Sequence, residues 1–200
     1  MDAGMLRSRV EVLSFRPRPG GWEWVVTGML WAKVEPTQRN TVYAKTGVGT
    51  SGAAVTMRMR PISPANALRW KGQHLAVVNL SEVDRLHLAA ETAVVRTYGC
   101  TARPQTSTRR GRLNRPELED KEPFTFPGIL LERYRGYQAP EPGAVVTVEL
   151  ILCTPKQIEM KAGDLLDVNE GPEAGVYWIQ EAHLLDLWHN EFLLVRKVDG

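Results

Sequence analysis

Two alternating runs flank a stretch that can follow neither of them. Leu30-Trp31-Ala32-Lys33-Val34 and Val55-Thr56-Met57-Arg58-Met59-Arg60 carry the two-residue period of half-buried β-strands. Between them, residues 37–54 are small and mostly uncharged, with Thr46, Gly47, Val48, Gly49, Thr50, Ser51 and Gly52 at the centre. A β-hairpin usually turns in about two to five residues, so an 18-residue connection is more than a turn requires. It holds almost no large apolar side chain and cannot build a core. Long loops on small rigid scaffolds usually carry function, and this segment is read as the working part of the chain.

The rest of the sequence is mainly β. Arg9–Leu13, Trp22–Val26, Met29–Glu35, Ala67–Trp70, His74–Leu80 and Arg85–Leu88 read as strands in the first half, with Arg16–Gly21 and Lys71-Gly72 as turns. Met1–Arg7 and Leu86–Ala93 also admit a helical turn. In the second half Ile129–Arg133, Ala144–Cys153, Gln157–Met160, Leu165–Val168, Val176–His183 and Glu191–Val198 read as strands. Residues 101–122 differ: basic from Arg103 to Arg115, acidic from Glu117 to Glu122, and poor in apolar side chains. That composition predicts a charged linker or arm. The expected organisation is therefore a first β-barrel over 1–100 with the long loop 37–54, a charged linker over 101–122, and a second β-barrel-like domain over 123–200.

The two halves resemble each other. At a gapless offset of 91, Val55 meets Val146, Pro64 meets Pro155, Gly72 meets Gly163, Leu75 meets Leu166 and Val77 meets Val168. A competing register sets Gly72 against Gly175. In either register the second half carries 137–145 where the first carries 37–54, so the second copy is expected to make the same hairpin without the long loop. The fold class expected is all-β, two small barrels or sandwiches of similar topology.

Composition narrows the function. Hydrophobic residues make up 43% of the 200, enough for real cores. The net charge of +2 is well short of that of a dedicated nucleic-acid binder. No apolar run is long enough for a membrane-spanning helix, and Met1–Arg9 has no signal-peptide core, so synthesis in the cytoplasm is expected. Cys100 and Cys153 form no Cys-x-x-Cys and read as buried thiols rather than a disulfide.

Catalytic motifs are missing. No Ser sits in a Gly-x-Ser-x-Gly elbow. The run 46–52 lacks the Gly-Lys-Ser/Thr ending of a phosphate loop. His183, Asp186 and His189 lack a further strong ligand for zinc and read as a polar hairpin. The six tryptophans fall on predicted strands as core or interface anchors. The expectation is no enzyme, no cofactor and no metal. Arg39 and Lys45 flank the long loop, and Arg109, Arg110 and Arg112 lie in the densest basic cluster. All five are candidates for contact with DNA or a neighbouring subunit.

Residues 3–95 carry a wider pattern. It opens with Ala3-Gly4-Met5-Leu6-Arg7-Ser8-Arg9-Val10-Glu11-Val12, continues with Trp22-Glu23-Trp24 and Leu30-Trp31-Ala32-Lys33-Val34-Glu35-Pro36, and passes through the long loop. It ends with Met57-Arg58-Met59-Arg60 and Trp70-Lys71-Gly72-Gln73-His74-Leu75-Ala76-Val77. This pattern resembles the small β-barrel head-closure or head–tail joining proteins (stoppers and connectors) of tailed bacteriophages. The resemblance implies a virion protein at the head–tail interface that forms an oligomeric ring of 6 or 12 copies. A portal or adaptor protein would lie above it and a tail terminator or tail tube protein below. Residues 46–52 would reach the DNA channel, contacting phage DNA without sequence preference, and no membrane is involved. The chain departs from the family in length, since members are often about half its size. The alternative reading, from a different class, is a small β-barrel nucleic-acid-binding module with Arg58, Arg60 and Arg69 facing a strand.

Overall fold

The computed structural model describes residues 3–41, 49–110, 115–136 and 146–197. Among them the chain is almost entirely strand, apart from a 3-10 turn at Ala3–Met5. It divides into two compact units. The first is Met1–Arg16 with Trp24–Thr97, and the second is Pro17–Glu23 with Tyr98–Gly200.

Unit 1 is built from β1 (Ser8–Arg18), β2 (Gly21–Thr41), β3 (Gly49–Arg58), β4 (Asn66–Trp70), β5 (Gln73–Asp84) and β6 (His87–Val95). They pair in the order β1-β4-β5-β6-β3-β2, and a β1–β2 pairing closes the barrel. Closure removes the exposed sheet edges that an open sheet of this size would present. Val10, Val12, Leu30, Ala32, Ala53, Val55, Met57, Leu68, Leu75, Val77, Leu88 and Ala90 fill the interior. The β4–β5 turn falls on Lys71 (φ 50°) and Gly72 (φ 78°). Two positive φ angles in a two-residue hairpin are the type I′ geometry that follows strand twist.

Unit 2 uses β7 (Thr97–Arg103), β8 (Gln105–Arg110), β9 (Arg115–Asp120), β10 (Phe124–Gly136), β11 (Val146–Pro155), β12 (Leu165–Val168), β13 (Gly175–His183) and β14 (His189–Arg196). Six of these pair in the order β10-β11-β14-β13-β12-β7, closed by β10–β7. The core gathers Cys100, Phe126, Leu131, Leu152, Cys153, Ile158, Leu166, Ile179 and Phe192. The turn Pro17–Glu23 belongs to this unit, where the Thr125 N–H donates to Gly20 O at 2.9 Å.

Matching the two rings strand by strand gives β1 to β7, β2 to β10, β3 to β11, β4 to β12, β5 to β13 and β6 to β14. The topology is the same in both, and β8–β9 is an insertion in the second. The gapless offset of 91 does not follow this correspondence. It sets Leu75 and Val77 of β5 against Leu166 and Val168 of β12. The register that sets Gly72 against Gly175 does follow it, because each precedes or opens the fifth strand of its ring. The two rings differ here in turn length: Lys71-Gly72 suffices between β4 and β5, while residues 169–174 join β12 to β13.

Other expectations are corrected. Of the charged linker or arm expected over 101–122, the structure has a paired arm and not a free linker. Residues up to Arg103 complete β7, and β8 pairs with β9 from Gln105↔Asp120 to Arg110↔Arg115. The base of that ribbon is tied down: the buried Asp164 accepts the Gln105 N–H at 2.8 Å, and Arg103 contacts Asp167 at 2.7 Å. Gln157–Met160 is a turn rather than a strand, and its buried Ile158 and Met160 pack into the core. Asn190 explains the stop, because its amide donates to the carbonyls of Lys156 and Ile158. Leu86–Ala93 contains no helical turn, since β6 begins at His87.

Candidate functional site

The segment singled out in the sequence is a strand-paired arm. β2 continues through residue 41 and β3 begins at residue 49, with pairs Thr37↔Gly52, Asn40↔Thr50 and Thr41↔Gly49 around a bulge. β3 meets β6 only from Gly52↔Ala93 onward. Residues 38–41 and 49–51 therefore form a two-stranded ribbon running past the barrel's own pairing. Gly49, Thr50, Ser51 and Gly52 lie on β3, and Arg39 lies on the facing strand. Thr46, Gly47, Val48 and Lys45 lie outside the described residues.

Unit 2 carries an arm at the equivalent place, contrary to the expectation that its hairpin would be plain. β11 pairs with β14 from Leu150↔Leu194 to Pro155↔His189, while its pairing with β10 continues to Gly136↔Val146. Residues 133–136 and 146–149 match 38–41 and 49–51 in position, and the sequence from 133 to 149 is no shorter than that from 38 to 51. Their chemistry differs. Residues 133–149 include Arg133, Tyr134, Arg135, Tyr137, Pro140, Glu141 and Pro142, whereas residues 38–51 include Arg39, Tyr43 and Lys45 but centre on the small, uncharged run from Thr46 to Ser51. Arg133 Nε lies 2.8 Å from Glu149 Oε2, a half-buried ion pair across the base of the second arm.

Arg109 and Arg110 lie on β8 at the turn end of the β8–β9 ribbon, in a different unit from Arg39. Arg112 lies outside the described residues.

Sequence reasoning missed a groove on the outer wall of unit 1. It is a cleft of about 770 Å3 lined by Leu6, Arg7, Met29, Leu30, Trp31, Arg58, Met59 and Arg60. Strand parity explains it. Leu30 and Ala32 point inward, so Trp31 points out and is 61% exposed. Met59 was expected to share the inward face of Met57. β3 ends at Arg58; beyond it the Met59 N–H still donates to Leu86 O at 2.7 Å, at the β5–β6 turn, and the Met59 side chain is 41% exposed. Arg9 donates to Met29 Sδ at 2.8 Å, which helps fix one wall. The parity of Trp31 was the available signal. The Arg69 of the alternative reading is neutralised by an ion pair with Glu11.

Titratable groups serve the scaffold. His87 is buried and holds Asp84 at 2.9 Å across the β5–β6 turn. The Leu86 N–H, then the His87 ring, hold the Asp84 carboxyl below the usual range. Burial, aided by the Arg69 charge, pushes His74 down to about 4. Its Nε2 is buried without a hydrogen-bond partner, and Trp24 packs edge-on 5.2 Å away. Burial pushes the Cys100 thiol up to about 12 and raises Cys153 well above its ordinary value. Both are free thiols with little thiolate to react. Asp186 accepts the N–H groups of Trp188 and His189 at 2.8 Å each. Partial burial opposes its charge, but these bonds hold its carboxyl below the usual range. Among the described residues no cluster of three or more His, Cys, Asp or Glu is placed to hold a metal ion, and no helix is long and apolar enough to cross a membrane.

Comparisons with protein-family models, with curated proteins and with solved structures find no match.

Proposed function

We propose that this chain is a structural ring protein of the head–tail connector of a long-tailed bacteriophage. Its first arm lines or closes the DNA channel, and its body provides the surface to which the tail attaches. The observation that carries this reading is the β2–β3 arm, a ribbon of small, mostly neutral residues extending past a rigid closed barrel. Small side chains suit an axis where several copies meet. The uncharged run from Thr46 to Gly52 suits DNA that must be held and then released, because each phosphate neutralised by a fixed Lys or Arg adds salt-dependent grip. The resemblance of residues 3–95 to head-closure proteins supports the same reading, and the twin barrel accounts for the extra length. The copies would be recruited onto a portal or adaptor and would receive a tail terminator or tube. We assign the chain no catalytic role.

The test is an arm deletion. Thr37 and Gly52 are direct partners, so Asn-Gly in place of residues 38–51 closes the hairpin with a two-residue turn. Particles carrying that variant are expected to package DNA and then leak it, or to fail to join tails. Normal DNA retention and full infectivity would overturn the reading.

A second reading, single-stranded nucleic-acid binding, is favoured by one observation: the exposed Trp31 sits in a groove with Arg7, Arg58 and Arg60. A ring face beside cations is the chemistry of base stacking and phosphate contact. Quenching of Trp fluorescence by oligothymidine, abolished by Trp31→Ala, would favour it.

A further inference from the structure

The groove on unit 1 has a chemical complement elsewhere on the same chain. Its surface is Leu6, Met29, Trp31 and Met59, with three arginines and no carboxylate among the lining residues. Its volume falls within the range of about 300–1,000 Å3 that encloses a compact ligand. On unit 2 the β13–β14 connection reads Leu184-Leu185-Asp186-Leu187-Trp188, and all five residues are exposed. Leu185 is 95% and Leu187 79% exposed. Single exposed leucines are ordinary, but four apolar side chains in a five-residue loop are not. The loop is also braced. Asp186 accepts two backbone N–H groups, and Lys156 Nζ donates to Leu184 O. The leucines are thus presented on an ordered knob, with little conformational freedom left to lose on docking.

We propose that this knob seats in the groove of a second copy, Leu185 and Leu187 against Met29, Trp31 and Met59, with Asp186 facing the arginine rim. The inference rests on the ring reading above and names the contact that would build the ring. Charge agrees with it: the knob itself carries one charged residue, the exposed Asp186, while the groove is lined by three arginines and no carboxylate. Nucleic acid is the poorer occupant, because a stacking platform needs successive aromatic faces and Trp31 is the only ring among the lining residues. The two patches are unlike, so the contact is head-to-tail. Such a contact propagates around a ring if the rotation closes and along a filament if it does not.

The experiment mixes two variants with one introduced cysteine each, Met59→Cys and Leu187→Cys, under mild oxidation at high protein concentration. The native thiols are buried. A control pair replaces Met59→Cys with Val83→Cys, another exposed position of unit 1. The linked dimer is expected at about tenfold the control yield, the ratio that about 1.4 kcal/mol of preference gives. Equal yields would overturn the proposal. So would binding of labelled oligothymidine that Trp31→Asp abolishes while the cross-link stays at the control level. Leu185→Asp with Leu187→Asp, all on the surface, separates this proposal from the ring reading. Closed rings persisting in that double variant refute the docking and leave the ring intact. Efficient cross-links that grow only into open chains support the docking and refute the ring.

Discussion

The two barrels share one ring order and differ in what they project from it. In each, the second and third strands run on beyond the pairing of their barrel. The first arm is rich in Gly, Thr and Ser. The second carries Arg, Tyr and Pro, and the Arg133–Glu149 pair crosses its base. Barrels of one topology thus carry two arms of different side-chain make-up: Arg39 and Lys45 are the charges of residues 38–51, whereas in residues 133–149 Arg133 and Arg135 are matched by Glu141 and Glu149. The lesson is that the arm's length is a property of the barrel, while its side chains decide its use. Presence of an arm is no evidence of a channel; the uncharged Gly-, Thr- and Ser-rich sequence of residues 46–52 is the evidence that matters.

The largest effect tests whether the barrels are separate cores. Leu68 on β4 and Leu166 on β12 are equivalent in the two rings, and both are fully buried. Leu→Ala at either position is expected to cost about 2–5 kcal/mol. Cys100 and Cys153 report on unit 2 alone, since both are buried there. Leu166→Ala should therefore speed thiol alkylation strongly and Leu68→Ala should leave it unchanged. Equal acceleration by both variants would mean that the barrels unfold as one, and the comparison between them would lose its basis.

A smaller effect is expected at Gly128, which is buried on β10. A methyl group there would lie 2.5 Å from Leu152 Cδ1 and 3.2 Å from Cys100 Sγ. Gly128→Ala should destabilise unit 2 by about 1–3 kcal/mol through overpacking, read by chemical denaturation. A neutral result would show that Leu152 can move aside.

The barrels should also differ in acid. The folded pKa of His74 is about 4, below its ordinary 6.5. Above pH 6.5 the ring is neutral in both folded and unfolded chains and has no effect on the slope. Between 6.5 and about 4 the unfolded chain takes up the proton first, so unit 1 loses stability as pH falls, and the loss levels off below 4. His74→Gln should flatten that slope in amide exchange of unit 1 and leave unit 2 unchanged. An unchanged slope would assign the acid response to other groups.

The smallest effect is the most discriminating. Replacing residues 38–51 by Asn-Gly should shift the stability of unit 1 by about 1 kcal/mol or less, since closure entropy varies slowly with loop length. A large loss would make the first arm part of the core and not an appendage.

Much of this fold was legible from strand period and turn chemistry. The alternation at Val55–Met57 and the Lys71-Gly72 turn are local signals, and local signals survive folding. What escaped was set by neighbours on other strands. The ribbon over 105–120 reads as a linker because its charges are segregated along the chain, yet cross-strand pairing brings Thr108 opposite Glu117 and ties its base through Gln105 to Asp164. The second arm was missed because 137–145 was counted as the whole connection, while the flanking strands ran on past their barrel partners. The groove was missed because Trp31, Met59 and the arginines meet only when β2 and β3 are laid side by side. The segment from His183 to His189 reads as a polar hairpin, and nothing local tells that the leucines of its 184–188 connection stay in water.

Electron cryomicroscopy of assembled particles tests the central claim most directly. A ring of this protein is expected on the head–tail axis, with the β2–β3 arms of unit 1 converging on the channel. Density for the protein off that axis, or β2–β3 arms of unit 1 turned away from the channel, would contradict it.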